Sequence, residues 1–218
     1  MRIDVISDTI CPWCWIGKRR FERARAERPD MVVEVGWRPF QLNPDMPADG
    51  LDRDEYMRLK FGNGAKAANI YAAIEKVGEA EGIPFRFEAI KRTPSTLDSH
   101  RLVRWAGEAG CQPELVETLF ERYFRDGQDV GDRDVLVDVA RTHGMDADRI
   151  GALLDGDTDF DIVLREDRFA RELGISGVPT FLLERQYAVV GAEEPATFLR
   201  AFDQVAATEA ELATRLGD

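Results

Sequence analysis

The chain has 218 residues, of which 44% are hydrophobic and 32% charged, so it is neither disordered nor fibrous. Its formal net charge of −12 disfavours nucleic acid and anionic membranes as partners, because both are negatively charged themselves. The first residues lack the pattern of a signal peptide, and no apolar run reaches the length of about 18 residues that a membrane span needs. We therefore expect a cytoplasmic protein.

A strand–helix–strand unit is predicted at the start of the chain. Residues 3–7 alternate apolar and polar side chains and include β-branched members, which is typical of a strand. A helix is expected to open at residues 11–14 and to end at about residue 28, and residues 31–37 are the second predicted strand. This connection is long enough for a parallel crossover between the two strands.

The middle of the chain is predicted to be helical. Turn signals separate the predicted helices, which cover residues 52–62, 65–81, 96–109, 113–126, 133–143 and 146–154. No segment in this stretch has a convincing strand pattern. A further helix is expected to end at residue 173 and to be capped at its start by Thr158 or Asp159.

The end of the chain returns to strands. Two short strands, 180–183 and 187–190, form a predicted hairpin, and a last helix begins at residue 195. Neither end of the chain alone supplies a sheet of adequate size. We therefore predict an α/β domain built from residues 1–42 and 158–218, with an all-helical domain, residues 43–157, inserted into it.

Two of the three cysteines form a Cys-x-x-Cys pair after a predicted strand and at a predicted helix start. The free backbone N–H groups and the dipole of a helix N-terminus favour an anion, so we expect the Cys11 thiolate to be stabilised. Cys14 lies one turn deeper on the same face, where it can close a disulfide with Cys11 and resolve a mixed disulfide. The intervening Pro12 and Trp13 carry no charge, so the helix end supplies most of this effect.

Two alternatives to redox chemistry remain at the cysteine pair. A zinc site needs four ligands, but the remaining Cys111, His100 and His143 form no second spaced pair. The spacing could also be accidental, with both cysteines simply buried. An odd number of cysteines argues against a framework of structural disulfides.

The acidic run at residues 155–161 has the spacing of a calcium loop, with Glu166 at the twelfth position. Phe160, however, occupies the position at which such a loop needs glycine for its sharp turn. Capping of the following helix explains the acids more simply, and we expect no bound metal.

The sequence resembles the DsbA-like branch of the thioredoxin superfamily and is similar to its FrnE-type proteins. The resemblance rests on four segments, residues 7–14 (SDTICPWC), 95–102 (STLDSHRL), 174–181 (GISGVPTF) and 191–198 (GAEEPATF). The same branch holds the 2-hydroxychromene-2-carboxylate isomerases and the kappa-class glutathione transferases. The resemblance implies a thioredoxin-like fold with an inserted helical domain.

The resemblance also implies roles for residues outside the cysteine pair. It implies a cis bond between Val178 and Pro179 beside Cys11, so that the Val178 backbone can pair with an extended substrate such as a peptide or glutathione. The alternative is a trans proline that enters an edge strand. His100 is placed near the active site, where it could move a proton to a departing thiolate, or it is a structural histidine bonded to backbone. Glu193 stands where kappa-type proteins hold the γ-glutamyl group of glutathione, or it is an ordinary acidic residue at a helix start.

The residue at position 11 decides the predicted activity. The isomerases and kappa transferases generally carry serine there, whereas this chain keeps both cysteines, which favours a protein disulfide oxidoreductase that exchanges dithiols and disulfides. One alternative is a glutathione-dependent isomerase or transferase that acts on a small aromatic or polyketide substrate. Another is a non-catalytic holdase or partner-binding protein. We expect no tightly bound cofactor, consider glutathione as a co-substrate, and note that a homodimer would rest on analogy alone.

Overall fold

The computed structural model describes residues 1–62 and 64–216. Its strands are β1 (Arg2–Ser7), β2 (Glu34–Pro39), β3 (Leu51–Asp52), β4 (Arg92–Thr93), β5 (Thr180–Leu183) and β6 (Tyr187–Val190). Its helices are α1 (Pro12–Ala26), α2 (Arg53–Phe61), α3 (Gly64–Ala80), α4 (Leu97–Ala109), α5 (Gln112–Phe120), α6 (Arg133–Thr142), α7 (Ala147–Asp155), α8 (Phe160–Glu172) and α9 (Pro195–Leu216). A 3-10 turn, Phe87–Ala89, precedes β4, and a π-helical turn, Glu121–Arg125, continues α5.

A four-stranded sheet in the order β2–β1–β5–β6 forms the α/β part of the molecule. Strands β1 and β2 are parallel, with Val5 opposite Trp37, and α1 supplies the crossover that a parallel pair requires. Strand β5 runs antiparallel to β1, with Phe181 also opposite Val5. The hairpin from β5 to β6 turns at Glu184 and Arg185, both of which have positive φ.

The structure differs from the sequence-based prediction at three places. Strand β2 begins three residues later than predicted, at Glu34. The predicted helix 113–126 ends as an α-helix at Phe120, after which the chain continues as the π-helical turn. The segment that was expected to contain no strand holds an antiparallel pair, β3 with β4. Each of these two strands has two residues, which is too short for an alternating pattern to be visible in the sequence.

The predicted division of the chain places all four strands of the main sheet in residues 1–42 and 158–218, and α2 to α7 in residues 43–157. The last two residues of the second range lie outside the described residues. One continuous cluster of buried apolar side chains joins the two parts, and includes Val5 of β1 together with Phe120 of the insertion. The insertion therefore packs on the α/β part through a shared core, while its status as a separate domain stays a prediction.

Aromatic side chains hold α1 in place from two sides. On one side, the ring centroid of Phe21 lies 5.2 Å from that of Phe181 in β5 and 5.7 Å from that of Phe198 in α9. On the other side, Trp15 stacks on Phe120 of α5 at 6.1 Å. The N-terminus of α1 is thus fixed between the sheet and the insertion. None of the described helices is both long and apolar enough to cross a membrane.

Candidate active site

Cys11 lies at the N-cap of α1, directly after the turn that leaves β1. Its backbone is extended (φ −95°, ψ 112°), and Pro12 follows at the start of the helix, where no backbone donor is needed. The Cys11 N–H donates to the carbonyl of Asp8 at 3.1 Å, and the Cys11 carbonyl accepts from the N–H of Cys14 at 3.0 Å. Within these described residues, no side chain caps α1, and no acidic residue lies in the first turn of α1. The Cys11 sulfur therefore lies at the positive end of the α1 dipole, with no carboxylate in the first turn of the helix itself.

Cys14 differs from Cys11 in its environment. Complete burial raises the pKa of the Cys14 thiol well above its ordinary value, and the neighbouring Cys11 raises it further, whereas contacts with Ser7 and the backbone of Asp8 oppose the shift. Cys11 is 4% exposed, and Trp13, two positions further along the chain, is 39% exposed. The geometry therefore distinguishes an outer thiol at the N-terminus of α1 from a completely buried inner thiol that stays protonated.

The loop before β5 lies over Cys11. The Cys11 thiol donates to the carbonyl oxygen of Val178 at 3.6 Å, and the peptide bond between Val178 and Pro179 is cis. Gly17 of α1 touches this loop so closely that a Cβ atom there would lie 2.7 Å from Cγ of Pro179. The N–H of Gly191 donates to the Pro179 carbonyl at 2.7 Å. Helix α1, the proline loop and the segment before α9 therefore meet at one point.

A buried carboxylate and a buried imidazole face one another behind the turn that carries Cys11. Asp8 is fully buried and His100 is 4% exposed, and Asp8 Oδ1 lies 3.4 Å from His100 Nε2. Neither of these two atoms makes an aligned hydrogen bond to any described group. The other oxygen of Asp8 accepts the N–H of Leu42 at 2.7 Å. Beside this pair the hydroxyl oxygens of Thr9 and Ser99 lie 2.7 Å apart, so two polar contacts tie α4 to the active-site turn.

Glu193 lies in the segment that contacts Pro179, but it points to its own helix. It is exposed, and its Oε2 accepts from the hydroxyl of Thr197 at 3.3 Å. The neighbouring Glu194, in contrast, pairs with Arg20 of α1 at 2.7 Å. The contact with Thr197 is the one expected of an acidic residue at a helix start, and it leaves the other carboxylate oxygen of Glu193 available.

The remaining cysteine and histidine do not join this group. Cys111 stands at the N-cap of α5, where partial burial, with Glu114 as the lesser cause, raises the pKa of its thiol. His143 Nε2 lies 2.8 Å from the hydroxyl of Thr118 on α5.

Three acids of the calcium alternative pair with basic or indole side chains. Asp155 forms an ion pair with Arg133, Asp159 accepts from Trp105 Nε1 at 2.8 Å, and Glu166 lies 3.3 Å from an arginine of α4. Among the described residues no cluster of three or more His, Cys, Asp or Glu side chains could hold a metal ion. Asp159 does stand at the N-cap of α8, but its side chain does not cap the helix, because its φ is positive and its carboxylate faces Trp105.

Two residues of the site, Asp8 and Gly17, have no functional role in the sequence-based prediction. Asp8 enters the sequence analysis only as part of segment 7–14, and Gly17 lies inside a predicted helix. A glycine within a helix costs about 1 kcal/mol relative to alanine, so its presence was a usable signal of a close contact. The pairing of Asp8 with His100 has no comparable signal, because the two residues are 92 positions apart.

A comparison with models of protein families found a match over most of the chain. A model described as a DSBA-like thioredoxin domain matches residues 2–203. The chain belongs to the DsbA-like thioredoxin family. This DsbA-like chain is 34% identical to a "probable DsbA oxidoreductase" from Streptomyces coelicolor, whose structure superposes with a TM-score of 0.84 over 94% of this chain and 89% of that one. It is also 29% identical over 184 residues to the Bacillus subtilis protein YwbO, which covers 84% of this chain and 86% of YwbO.

More distant structures share the DsbA-like fold. A 2-hydroxychromene-2-carboxylate isomerase matches with a TM-score of 0.74 at 14% identity, over 97% of this chain and 99% of that one. The cytosolic disulfide reductase DsbM from Pseudomonas aeruginosa, in a structure with GSH, matches with a TM-score of 0.64 at 16% identity, over 98% and 100%. The comparisons confirm the predicted family and the thioredoxin-like fold. Because the neighbours include both oxidoreductases and an isomerase, the fold alone does not select the activity.

Proposed function

We propose that the protein is a thiol–disulfide oxidoreductase that works through Cys11 and Cys14. The observation that carries this proposal is the contrast between the two thiols at the start of α1. Cys11 lies at the helix end, in contact with the loop at Val178, and Cys14 is completely buried with a raised pKa. An outer thiol at a helix N-terminus and a protonated inner thiol are the two components that stepwise disulfide exchange requires.

The exchange proceeds in two steps. The Cys11 thiolate attacks one sulfur of a substrate disulfide, which breaks the S–S bond, forms a mixed disulfide and releases the other substrate sulfur as a thiolate that takes up a proton. Cys14 then loses its proton and attacks the Cys11 sulfur, which closes the Cys11–Cys14 disulfide and releases the second substrate thiolate. The substrate is reduced and the protein is oxidised by the same two electrons. The reverse sequence oxidises a substrate dithiol.

Four further residues take the supporting roles in this proposal. The backbone of Val178, next to Pro179, pairs with an extended peptide or with glutathione, and the exposed ring of Trp13 offers apolar contact. His100, which is buried against Asp8, takes part in moving a proton to the departing thiolate. The Val178 role is supported by the distance of 3.6 Å between its carbonyl oxygen and the Cys11 sulfur.

A glutathione-dependent isomerase or transferase is the second candidate. The structural likeness to an isomerase over 97% of the chain favours it, and the DsbM structure with GSH suggests glutathione as a co-substrate. Glu193 would then hold the γ-glutamyl group, through the carboxylate oxygen that Thr197 leaves free. DsbM is a cytosolic protein, and this location also supports our proposal that this chain acts in the cytoplasm. The presence of Cys11, in place of serine, is what ranks disulfide exchange first.

The deciding experiment is equilibration of the protein with glutathione redox buffers, followed by tryptophan fluorescence and by alkylation of free thiols. We expect a reversible Cys11–Cys14 couple. Cys11→Ser should abolish turnover of a disulfide substrate, and Cys14→Ser should accumulate mixed disulfides. Cys111→Ser is the matched control and should behave as the unchanged protein.

Full reductase activity in Cys11→Ser would contradict the proposal. Intact glutathione binding without disulfide formation would favour the isomerase, and suppression of aggregation by the double cysteine variant would favour a holdase.

A further inference from the structure

Three side chains of the active-site helix converge on one carboxylate of the helical insertion. Glu117 lies on α5, and its Oε1 accepts from Nε1 of Trp15 at 2.8 Å and from the guanidinium of Arg19 at 2.5 Å. Its Oε2 lies 2.7 Å from Nζ of Lys18. No donor is aligned on Oε2 in the described structure, so the attraction to Lys18 is mainly Coulombic.

Two of these three residues, Trp15 and Lys18, are buried and lie within four positions of the inner cysteine on α1. Trp15 follows Cys14 directly and is completely buried. Lys18 is four positions beyond Cys14, so it lies one turn further along the same face of the helix. Its side chain is only 5% exposed, which makes it a buried cation near the redox pair.

A buried lysine is costly unless its charge is compensated. Two carboxylates compensate Lys18, namely Glu22 at 2.6 Å, which is 39% exposed, and Glu117, which is 18% exposed. The more exposed Glu22 is better screened by water, so the charge of Glu117 has the larger effect on the electrostatic potential around Cys14. Without that charge, Lys18 would keep only Glu22 as a partner, and Arg19 would lose the carboxylate with which it pairs.

We propose that Glu117 is a positioning residue that sets the redox equilibrium of the Cys11–Cys14 pair by neutralising Lys18 and Arg19 and by fixing Trp15. This inference rests on the proposed dithiol chemistry. Positive charge near the pair favours a thiolate and hence the reduced form. The negative charge of Glu117 therefore holds the equilibrium further toward the disulfide than the cations alone would allow. In this way an acidic residue of the insertion regulates a site that lies on the α/β part.

The test measures the equilibrium constant of one reaction. In that reaction the protein disulfide and two glutathione molecules form the protein dithiol and glutathione disulfide. The fractions are counted by thiol alkylation, which does not depend on Trp15. Glu117→Gln keeps an oxygen for the indole but removes the charge, and should shift the equilibrium constant toward the reduced protein by about threefold or more. Glu121→Gln is the matched control, since Glu121 lies one turn further on and pairs with Arg125 at 3.2 Å. It should leave the constant unchanged.

A second variant separates charge from damage to the fold. Lys18→Met removes the cation and should shift the equilibrium in the opposite direction, toward the disulfide. Lys18→Met tests the inference even if Glu117→Gln does not fold. Equal constants for Glu117→Gln and Glu121→Gln would overturn the inference, as would shifts of the same sign in Glu117→Gln and Lys18→Met. Failure of the unchanged protein to form a disulfide would instead contradict the proposed function itself.

Discussion

At the scale of single residues, the site depends on two thiols that the backbone places three positions apart in unequal environments. Cys11 lies at the N-cap of α1, and Cys14 lies within the helix and is completely buried. Burial is the largest cause of the raised pKa of Cys14, so this difference arises from packing and not from the cysteines themselves. In the proposed exchange the inner thiol therefore reacts second, because burial keeps it protonated.

The raised pKa of Cys14 predicts how the stability of the reduced protein changes with pH. An unfolded cysteine ionises above its ordinary pKa of about 8.5, whereas buried Cys14 stays protonated. Its contribution to the free energy of unfolding is therefore fully present below pH about 8.5 and declines above it, by up to about 1.4 kcal/mol per pH unit. Urea unfolding of reduced protein between pH 7 and 10 measures this decline. Cys14→Ala should decline less steeply, and equal slopes for the two proteins would refute the prediction.

At the scale of elements, the site is a junction at which α1, the proline loop and the segment before α9 touch. Gly17 permits the closest of these contacts, since any side chain would meet the ring of Pro179. The N–H of Gly191 and the carbonyl of Pro179 close the junction from the other side. Sequence patterns predicted each element, but the contact between them depends on the absence of a single Cβ atom.

Gly17→Ala tests this junction. The added methyl group should displace Pro179 and destabilise the protein by about 1–3 kcal/mol, despite the better helix propensity of alanine. It should also slow disulfide exchange, because Val178 would move away from Cys11. Gly151→Ala on α7 is the control, since its Cβ would meet only the flexible side chain of Arg133. Unfolding midpoints and exchange rates of both variants provide the measurement, and an unaltered exchange rate in Gly17→Ala would show that the junction tolerates movement.

At the scale of the whole molecule, the insertion and the α/β part share one apolar core. Phe120 of α5 lies 6.1 Å from Trp15 of α1 and 6.4 Å from Trp37 of β2, measured between ring centroids. These contacts join the two parts at Trp15, the residue that follows Cys14. Glu117, on the same helix, adds the polar contacts to α1. The insertion is therefore part of the support of the active site.

A shared core predicts that the two parts unfold together. Circular dichroism reports on the helices of both parts, and tryptophan fluorescence reports on Trp13, Trp15 and Trp37 of the α/β part and on Trp105 of the insertion. The two signals should follow one urea transition. Phe120→Ala should lower both midpoints equally, with a loss of about 3–5 kcal/mol in the free energy of unfolding. Two separate transitions, or a shift in only one signal, would show that the insertion folds on its own.

The sequence by itself determined the order of the elements, the thioredoxin-like family and the residues of the cysteine pair. These features are local: the helix and strand periods, the turn residues and the spacing of Cys11 and Cys14 lie within short windows of the chain. The two-residue pair β3–β4 and the π-helical turn after α5 escaped prediction, because so few residues carry no period.

Only the tertiary structure decided the contacts between distant segments. The pairing of Asp8 with His100, the contact of Gly17 with Pro179 and the convergence of α1 on Glu117 each join residues that are far apart in the chain. Such contacts depend on how elements pack, and packing is determined by the whole set of buried side chains. The sequence could therefore locate the cysteine pair, whereas the groups that surround it became visible only in the folded molecule.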